Sequence, residues 1–427
     1  MIKFVTYLNM AIVVFMTVAY FYQGVYTAVG LLKRRAKPEP EPSKMHRFAA
    51  VISARNEAGV IGELVKSLKA QDYPSDLFDV YVLADNCTDA TAARAREAGA
   101  LVYERWNHEL VGKGYALDYV FKKINAAREG LEPYDAFFIF DADNVVDSQF
   151  VREMNKTFDR GDYDVITCYR NSKNFGANWI SAGYSSWVLR EARFLNFPRS
   201  VMGTSCAVSG TGFLVSNRIL EENGGWPFHL LTEDIQFSVN CAVTGHKIGY
   251  CDRAIVYDEQ PTSFSQSWNQ RMRWSKGFYQ VDAKYLPRLL EGAVSHKGSR
   301  FSCYDMMMTV APAMLLTIFS VIFNVLIAFA CLTQPYYIAY RVLRVTGHFL
   351  RMALTNYYIG LFLYACLTVA SEWKQIHATS FDKVRHIVLF PIFMATYIPI
   401  ALIALVSKVE WKPIQHFSTE AIELKRS

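Results

Sequence analysis

Apolar residues gather at the two ends of the chain, and the middle alternates short apolar runs with charged helical stretches. Residues 5–32 contain no Asp, Glu, Lys or Arg. About 20 apolar residues suffice to cross the hydrocarbon core of a bilayer, so this stretch reads as a membrane span. A cleaved signal peptide is the rival reading, but the stretch is too long for one and no small-residue cleavage site follows it. Lys33, Arg34, Arg35 and Lys37 come next, and positive charge marks that flank as cytoplasmic. The Pro-Glu repeat at 37–43 reads as a short extended spacer.

From about 47 to 290 the pattern is that of an α/β domain. Strands are expected at 48–53, 80–84 and 136–140, with helices over 62–71 and 90–98 after the first two. Strand, helix, strand in succession implies parallel pairing through right-handed crossovers, and ligands in such sheets bind beyond the carboxyl ends of the strands. Further on, 306–333 and 352–370 read as spans. The run 386–406 is open: Pro391 and Pro399 and the basic residues on both sides suit a re-entrant or interface-lying segment, and an ordinary span is the alternative.

Composition narrows the field only modestly. The chain has 427 residues, of which 52% are hydrophobic and 20% charged, which excludes a disordered or collagen-like chain. Lys+Arg at 45 against Asp+Glu at 39 gives +6, too weak and scattered to argue for a nucleic-acid partner and ordinary for a protein lying against anionic lipid. The eight cysteines form no CxxC pair, so neither a zinc ribbon nor a thioredoxin-like motif is available, and a reduced, cytosol-facing domain is expected.

Candidate chemistry lies in three places. Asp141-Ala-Asp143 closes an apolar strand, and two carboxylates where a strand opens into a loop make a hard-oxygen site for Mg²⁺ or Mn²⁺. Thr232-Glu233-Asp234 opens a helix. Thr232 could simply cap it, with the acids complementing the helix dipole, or a carboxylate could serve as general base. Over 264–280, a helix places Phe264, Trp268, Met272, Ser275 and Tyr279 on one stripe suited to a membrane interface. Gln270, Arg273, Trp274 and Gly277 fall nearly opposite, offering a guanidinium for a diphosphate and an indole on which a sugar can stack.

Asp85, Asp141-Ala-Asp143, Thr232-Glu233-Asp234 and Gln270-Arg-Met-Arg273-Trp274, in that order after one span and before others, resemble the D, DxD, TED and QxxRW signature of membrane-integrated family 2 glycosyltransferases, the relatives of hyaluronan, cellulose and chitin synthases. The resemblance implies an α/β GT-A nucleotide-sugar domain facing the cytosol, an α-helical transmembrane region with interfacial helices, and inverting transfer from a UDP-sugar. By the same resemblance Glu57, Asp85 and Lys113 contact the nucleotide, and Asp141 and Asp143 hold the metal. Asp234 is the base, Gln270 and Arg273 hold the diphosphate, and Trp274 with Gly210-Thr211-Gly212 meets the acceptor. Trp411 and Lys412 resemble a gating loop.

The expected organisation is a first transmembrane helix (1–35), a linker (36–46), the catalytic domain (47–262), an amphipathic interfacial helix (263–300), a C-terminal transmembrane region (301–407) and a cytosolic tail (408–427). A multi-pass protein of the plasma membrane follows from that plan. The acceptor is the end of a growing β-linked polysaccharide, with coupled translocation, or a lipid given a single sugar. A nucleotide-sensing membrane protein or channel is the non-enzymatic rival.

Overall fold

The structure, a computed structural model, describes residues 2–33, 39–295, 299–310, 312–331 and 333–409. Trp411 and Lys412 of the gating-loop match lie outside these residues, as do Arg34, Arg35 and Lys37 after the first helix.

The strands are β1 (Phe48–Ala54), β2 (Phe78–Asp85), β3 (Leu101–Arg105), β4 (Ala136–Asp141), β5 (Val145–Val146), β6 (Val165–Ser172), β7 (Phe213–Ser216) and β8 (Ile248–Asp258). They form one sheet in the order β3-β2-β1-β4-β7-β6-β8-β5. β3, β2, β1 and β4 run parallel, and the sheet turns antiparallel at β4–β7. The three strands and two helices expected at its start are all present, the helices being α2 (Ile61–Lys69) and α3 (Thr91–Glu97). α4 (Lys113–Ala127) then carries the chain from β3 back across to β4 on the far side of β1. The crossover direction therefore reverses between β1 and β4, and the carboxyl ends of those strands frame a crevice.

β1 shows why this sheet is covered on both sides. Phe48, Ala50 and Ile52 pack with α2 and with α5 (Phe150–Asp159), whereas Ala49 and Val51 pack with Ala116, Leu117, Val120 and Phe121 of α4. Alternate residues of a strand point to opposite faces, and here both faces are apolar, as a parallel sheet requires.

The remaining helices are α1 (Ile2–Leu32), α6 (Trp179–Glu191), α7 (Phe197–Val201), α8 (Asn217–Glu222), α9 (Glu233–Thr244), α10 (Phe264–Val294), α11 (Arg300–Val310), α12 (Pro312–Cys331), α13 (Tyr336–Ser371), α14 (Ser380–Ala395) and α15 (Tyr397–Val406). A π-helical turn, Ala192–Asn196, joins α6 to α7. Among the described residues, Lys3–Leu32, Tyr336–Ser371 and Ser380–Val406 are long and apolar enough to cross a membrane.

Two expected spans are altered. The run 306–333 is shared by α11 and α12, and Met306 and Met308 of α11 are buried in the protein. Asp305 accounts for this: both of its oxygens take bonds from the Arg199 guanidinium, at 2.7 and 2.8 Å, and Tyr26 Oη donates to it at 2.7 Å. The span expected over 352–370 is the end of the much longer α13, which also contains Arg341, Arg344 and Arg351.

The open run 386–406 is two helices that meet at Thr396. Ahead of α14, Tyr169 Oη donates to Glu372 at 2.5 Å and Asn171 Nδ2 to the Gln375 carbonyl at 2.8 Å. Past the middle of α15, Tyr279 Oη of α10 donates to the Ala401 carbonyl at 3.0 Å, and Met272 packs on Ile400 and Ala404. The stripe of α10 expected to face a membrane interface is thus largely covered by α15, with Phe264 left exposed. An apolar helix offered a second apolar helix buries the same surface that lipid would otherwise cover.

Candidate active site

At the crevice, Lys113 is the hub. Gly112, with a φ of 137°, delivers it into the first turn of α4. Its Nζ donates to Asp141 Oδ1 at 2.5 Å and to the Gly210 carbonyl at 2.6 Å, and lies 3.9 Å from Glu233. Burial alone would push the lysine pKa down, but the charges of Asp141 and Glu233 outweigh it and hold Lys113 above its ordinary value.

Gly210 is part of how the carboxylates come together. A Cβ there would lie 3.2 Å from Asp234 Oδ2 and 4.0 Å from Asp141 Oδ2, at a φ of 84°. Of the four residues expected at the acceptor, Gly210 and Trp274 line the cavity described below, and Thr211 and Gly212 do not. Thr211 is fully buried behind Asp141: its hydroxyl accepts from the Asp141 N–H at 3.0 Å and donates to Asn144. Gly212 packs on Cys168 and Val256. Thr211 thus holds the Asp141 turn.

Glu233 and Asp234 open α9. Thr232 occupies the N-cap position but makes no side-chain capping bond, so capping does not account for this triplet. Its hydroxyl is buried without a partner against Gly277 of α10, where a Cβ would come within 2.5 Å of it. Burial, reinforced by the Asp234 charge, pushes the Glu233 carboxyl up to about 7. Burial likewise raises Asp234, against the pull of its own helix N-terminus and of Lys113.

Asp143 is buried, accepting from Asn144 Nδ2 at 3.3 Å and from the Glu259 N–H at 3.2 Å. Asp258, at the end of β8, receives Arg170 Nε on Oδ2 at 2.7 Å, while its Oδ1 is buried without a hydrogen-bond partner. Burial raises the Asp258 carboxyl and the Asp143 charge adds to the effect. These oxygens fit Mg²⁺ or Mn²⁺. Among the described residues there is no group of three or more His, Cys, Asp or Glu side chains placed to hold a metal ion.

Asp85, expected at the nucleotide, closes β2. Arg105 Nη1 at 2.6 Å and Asn86 Nδ2 at 3.2 Å both donate to its Oδ1. Burial raises this carboxyl and the Arg105 charge opposes it. Glu57 stands after β1, its N–H donating to Thr91 Oγ1 at 2.8 Å. On the opposite wall, α10 presents Gln270, Arg273 and Trp274. Gln270 Oε1 is buried without a partner, and the Trp274 ring stands edge-on to Tyr184 at 5.6 Å.

One cavity of about 850 Å³ joins these groups. It is lined by Glu57, Asp85, Lys113, Asp141, Asp143, Gly210 and Asp234, and by Gln270, Arg273 and Trp274. The same cavity continues between the apolar helices, past Met16, Leu354, Tyr357, Tyr397 and Leu402. Buried polar atoms without partners cluster along it: Thr232 Oγ1, Asp258 Oδ1, Gln260 Nε2, Gln270 Oε1 and Ser275 Oγ. Such atoms are costly unless a ligand completes them.

Sequence reasoning passed over Arg105, Arg170, Asp258 and Gln260. The signal for the last two was present: Asp258-Glu259-Gln260-Pro261 is a polar run at the end of an apolar stretch that forms β8.

The sequence profile described as glycosyltransferase like family 2 matches residues 46–277, more than half of the chain. The chain belongs to that family. It is 28% identical over 271 residues to a beta-monoglucosyldiacylglycerol synthase of Synechocystis sp., covering 60% of this chain and 55% of that protein. It is 23% identical over 248 residues to the poly-beta-1,6-N-acetyl-D-glucosamine synthase of Staphylococcus epidermidis, covering 56% of this chain and 57% of that one. The chain therefore spans little more than half the length of these relatives. Among solved structures, the mannosyltransferase PcManGT of Pyrobaculum calidifontis, in complex with GDP-Man and Mn²⁺, superposes with a TM-score of 0.55 at 15% identity over 93% of this chain and 99% of that one. That likeness establishes the GT-A fold.

Proposed function

We propose that this chain is a membrane-embedded inverting glycosyltransferase that moves a sugar from a UDP-sugar to a hydroxyl on a lipid acceptor. The observation that carries the reading is the continuity of the cavity: the carboxylates at its polar end and the apolar helices at the other line one continuous space. A lipid can lay its chains along the helices while its head group reaches Asp234.

In this account Glu57 and Asp85 bind the nucleoside, with Asp85 Oδ2 free of the bonds that occupy Oδ1. Asp141 and Asp143 hold Mg²⁺ or Mn²⁺, which when bound neutralises charge on the diphosphate. Arg273 and Gln270 clamp the leaving diphosphate from α10. Asp234 accepts the proton of the acceptor hydroxyl as that oxygen attacks the anomeric carbon from the face opposite the diphosphate, so an α-linked donor gives a β-linked product.

The rival reading, extension of a β-linked polysaccharide with translocation among the helices, draws on Trp274, whose indole borders the cavity and can stack on a sugar ring. A cytosolic catalytic face is supported by contacts on both sides of α14: Asn171 of β6 bonds to the Gln375 carbonyl ahead of it, and Tyr279 of α10 bonds to the Ala401 carbonyl of α15 after it. That arrangement favours a segment lying at the membrane surface over one that crosses it.

Purified protein supplied with Mn²⁺, dioleoylglycerol micelles and a panel of UDP-sugars tests the proposal. Release of UDP with a single-sugar lipid band is expected. A polymer digestible by a β-glycanase would replace the lipid reading with the polysaccharide one, and silence across the panel would overturn both.

A further inference from the structure

Arg341, Arg344 and Arg351 of α13 have no part in the transfer chemistry above. At 100° per residue, Tyr337, Tyr340, Arg341, Arg344, His348 and Arg351 fall within an arc of about 100° around the helix. All six are exposed. The other side of the same turns is packed: Val342 is fully buried with Val5 of α1 and Cys331 of α12, and Ile338 and Ala339 pack beside it.

The three helices that meet there supply no counter-charge. Residues 1–32 and 306–371 contain no Asp or Glu, while Lys3 at the start of α1 adds a further cation. α1 and α12 run antiparallel toward this point: Tyr20 Oη donates to the Met308 carbonyl at 3.0 Å, Asn9 Nδ2 to Asn324 Oδ1 at 3.4 Å, and Val5 packs with Cys331. The opposite end of α13 is tied to the catalytic domain through Glu372, which accepts from Tyr169 of β6 at 2.5 Å.

The depth of the arginines follows from helix geometry. Residues 352–371 carry no charged side chain, and at 1.5 Å per residue they extend about 30 Å, the thickness of a hydrocarbon core. With that stretch in the core, Arg351 reaches its far boundary, and Arg344 and Arg341 stand about 10 to 15 Å beyond. That is head-group level in the leaflet opposite the catalytic domain. Tyr336, Tyr337 and Tyr340, all exposed, are residues that settle at such an interface.

We propose that this stripe binds the phosphodiester head groups of anionic phospholipid in that leaflet. A guanidinium gives two parallel N–H bonds to phosphate oxygens, and the Tyr337 and Tyr340 hydroxyls add donors beside it. A stripe of one sign favours a lipid of net negative charge over a zwitterionic one. Exposed Leu343, Leu350 and Leu354 form an apolar row alongside, against which the lipid chains lie; this matches a lipid better than an acidic soluble protein. The site is independent of the acceptor's identity.

The test is native mass spectrometry of the full chain in detergent, titrated separately with palmitoyloleoylphosphatidylglycerol and palmitoyloleoylphosphatidylcholine. Wild type should bind the first lipid more tightly. Replacing Arg341, Arg344 and Arg351 together with Gln should weaken phosphatidylglycerol binding by about tenfold or more and leave phosphatidylcholine binding unchanged. Replacing Lys69, Arg94 and Arg96 of the catalytic domain with Gln, an equal loss of charge elsewhere, should leave both unchanged. Arg341→Gln with Arg344→Gln carries the test if the triple variant does not fold. Equal affinity of wild type for the two lipids overturns the proposal, as does a folded stripe variant whose phosphatidylglycerol affinity stays within about twofold of wild type. An equal loss in the catalytic-domain variant overturns it too, because net charge and not the stripe would then be what the lipid reads.

Discussion

Lys113 Nζ lies 2.5 Å from Asp141 Oδ1, so the crevice contains an internal cation in contact with one of its metal-binding candidates. The ammonium is half-buried and also faces Glu233. It offsets the repulsion that the neighbouring acids exert on Glu233 and Asp234, both of which are raised. Replacing Lys113 with Met should shift the acidic limb of the pH–rate profile upward by about one unit, the size expected for losing an opposite charge at this distance. Transfer rates from pH 5 to 9 in both proteins check this, and an unmoved limb would remove Lys113 from that role.

The raised Glu233 also makes fold stability pH-dependent. Its folded pKa of about 7 exceeds the ordinary value, so between the two the native state binds more protons than the unfolded one. Its contribution is fully present below the unfolded value and is lost as pH rises through about 7. Thermal unfolding scanned from pH 4.5 to 8 should show a steeper decline in wild type than in Glu233→Gln.

Gly277 lets α10 approach α9 closely. A Cβ at that position would fall 2.5 Å from Thr232, the residue before the two acids. Gly277→Ala should keep the fold but displace the acids from the Gln270, Arg273 and Trp274 face, lowering kcat by about tenfold or more. Circular dichroism together with initial rates would separate misplacement from unfolding.

Arg271 shows how much of this site was legible in the sequence and how much was not. The ordered acids and Gln270, Arg273 and Trp274 could be read because each sits at a strand end or on a periodic helix face, where spacing determines direction. Arg271, inside the same motif, is fully buried. It donates to Thr396 at 2.5 Å and to the Phe393 carbonyl at 3.2 Å, and stacks on Phe393 and Tyr397. Phe393, Thr396 and Tyr397 lie more than a hundred residues away, and no local pattern announces them. Arg105 under Asp85 and Arg170 under Asp258, pairs 20 and 88 residues apart in the chain, are likewise set by the fold and not by a local pattern. The covered stripe of α10 has this origin too: periodicity finds an apolar face but does not say whether lipid or another helix meets it.

Arg271→Ala should therefore act through the fold. Losing those bonds and the two ring contacts is expected to destabilise the protein by about 3 kcal/mol. A lowered unfolding midpoint, with residual activity tracking the folded fraction, is the expected result. Full stability with lost turnover would instead assign Arg271 to the chemistry.

The central claim is that Asp234 takes the acceptor's proton during a single inverting displacement. Single-turnover transfer from UDP-sugar by wild type and Asp234→Asn, with UDP binding measured alongside, tests it most directly. The account predicts a loss of about a thousandfold in transfer, within the range for removing a positioned base, with UDP affinity retained. A variant that transfers sugar within tenfold of wild type would contradict it.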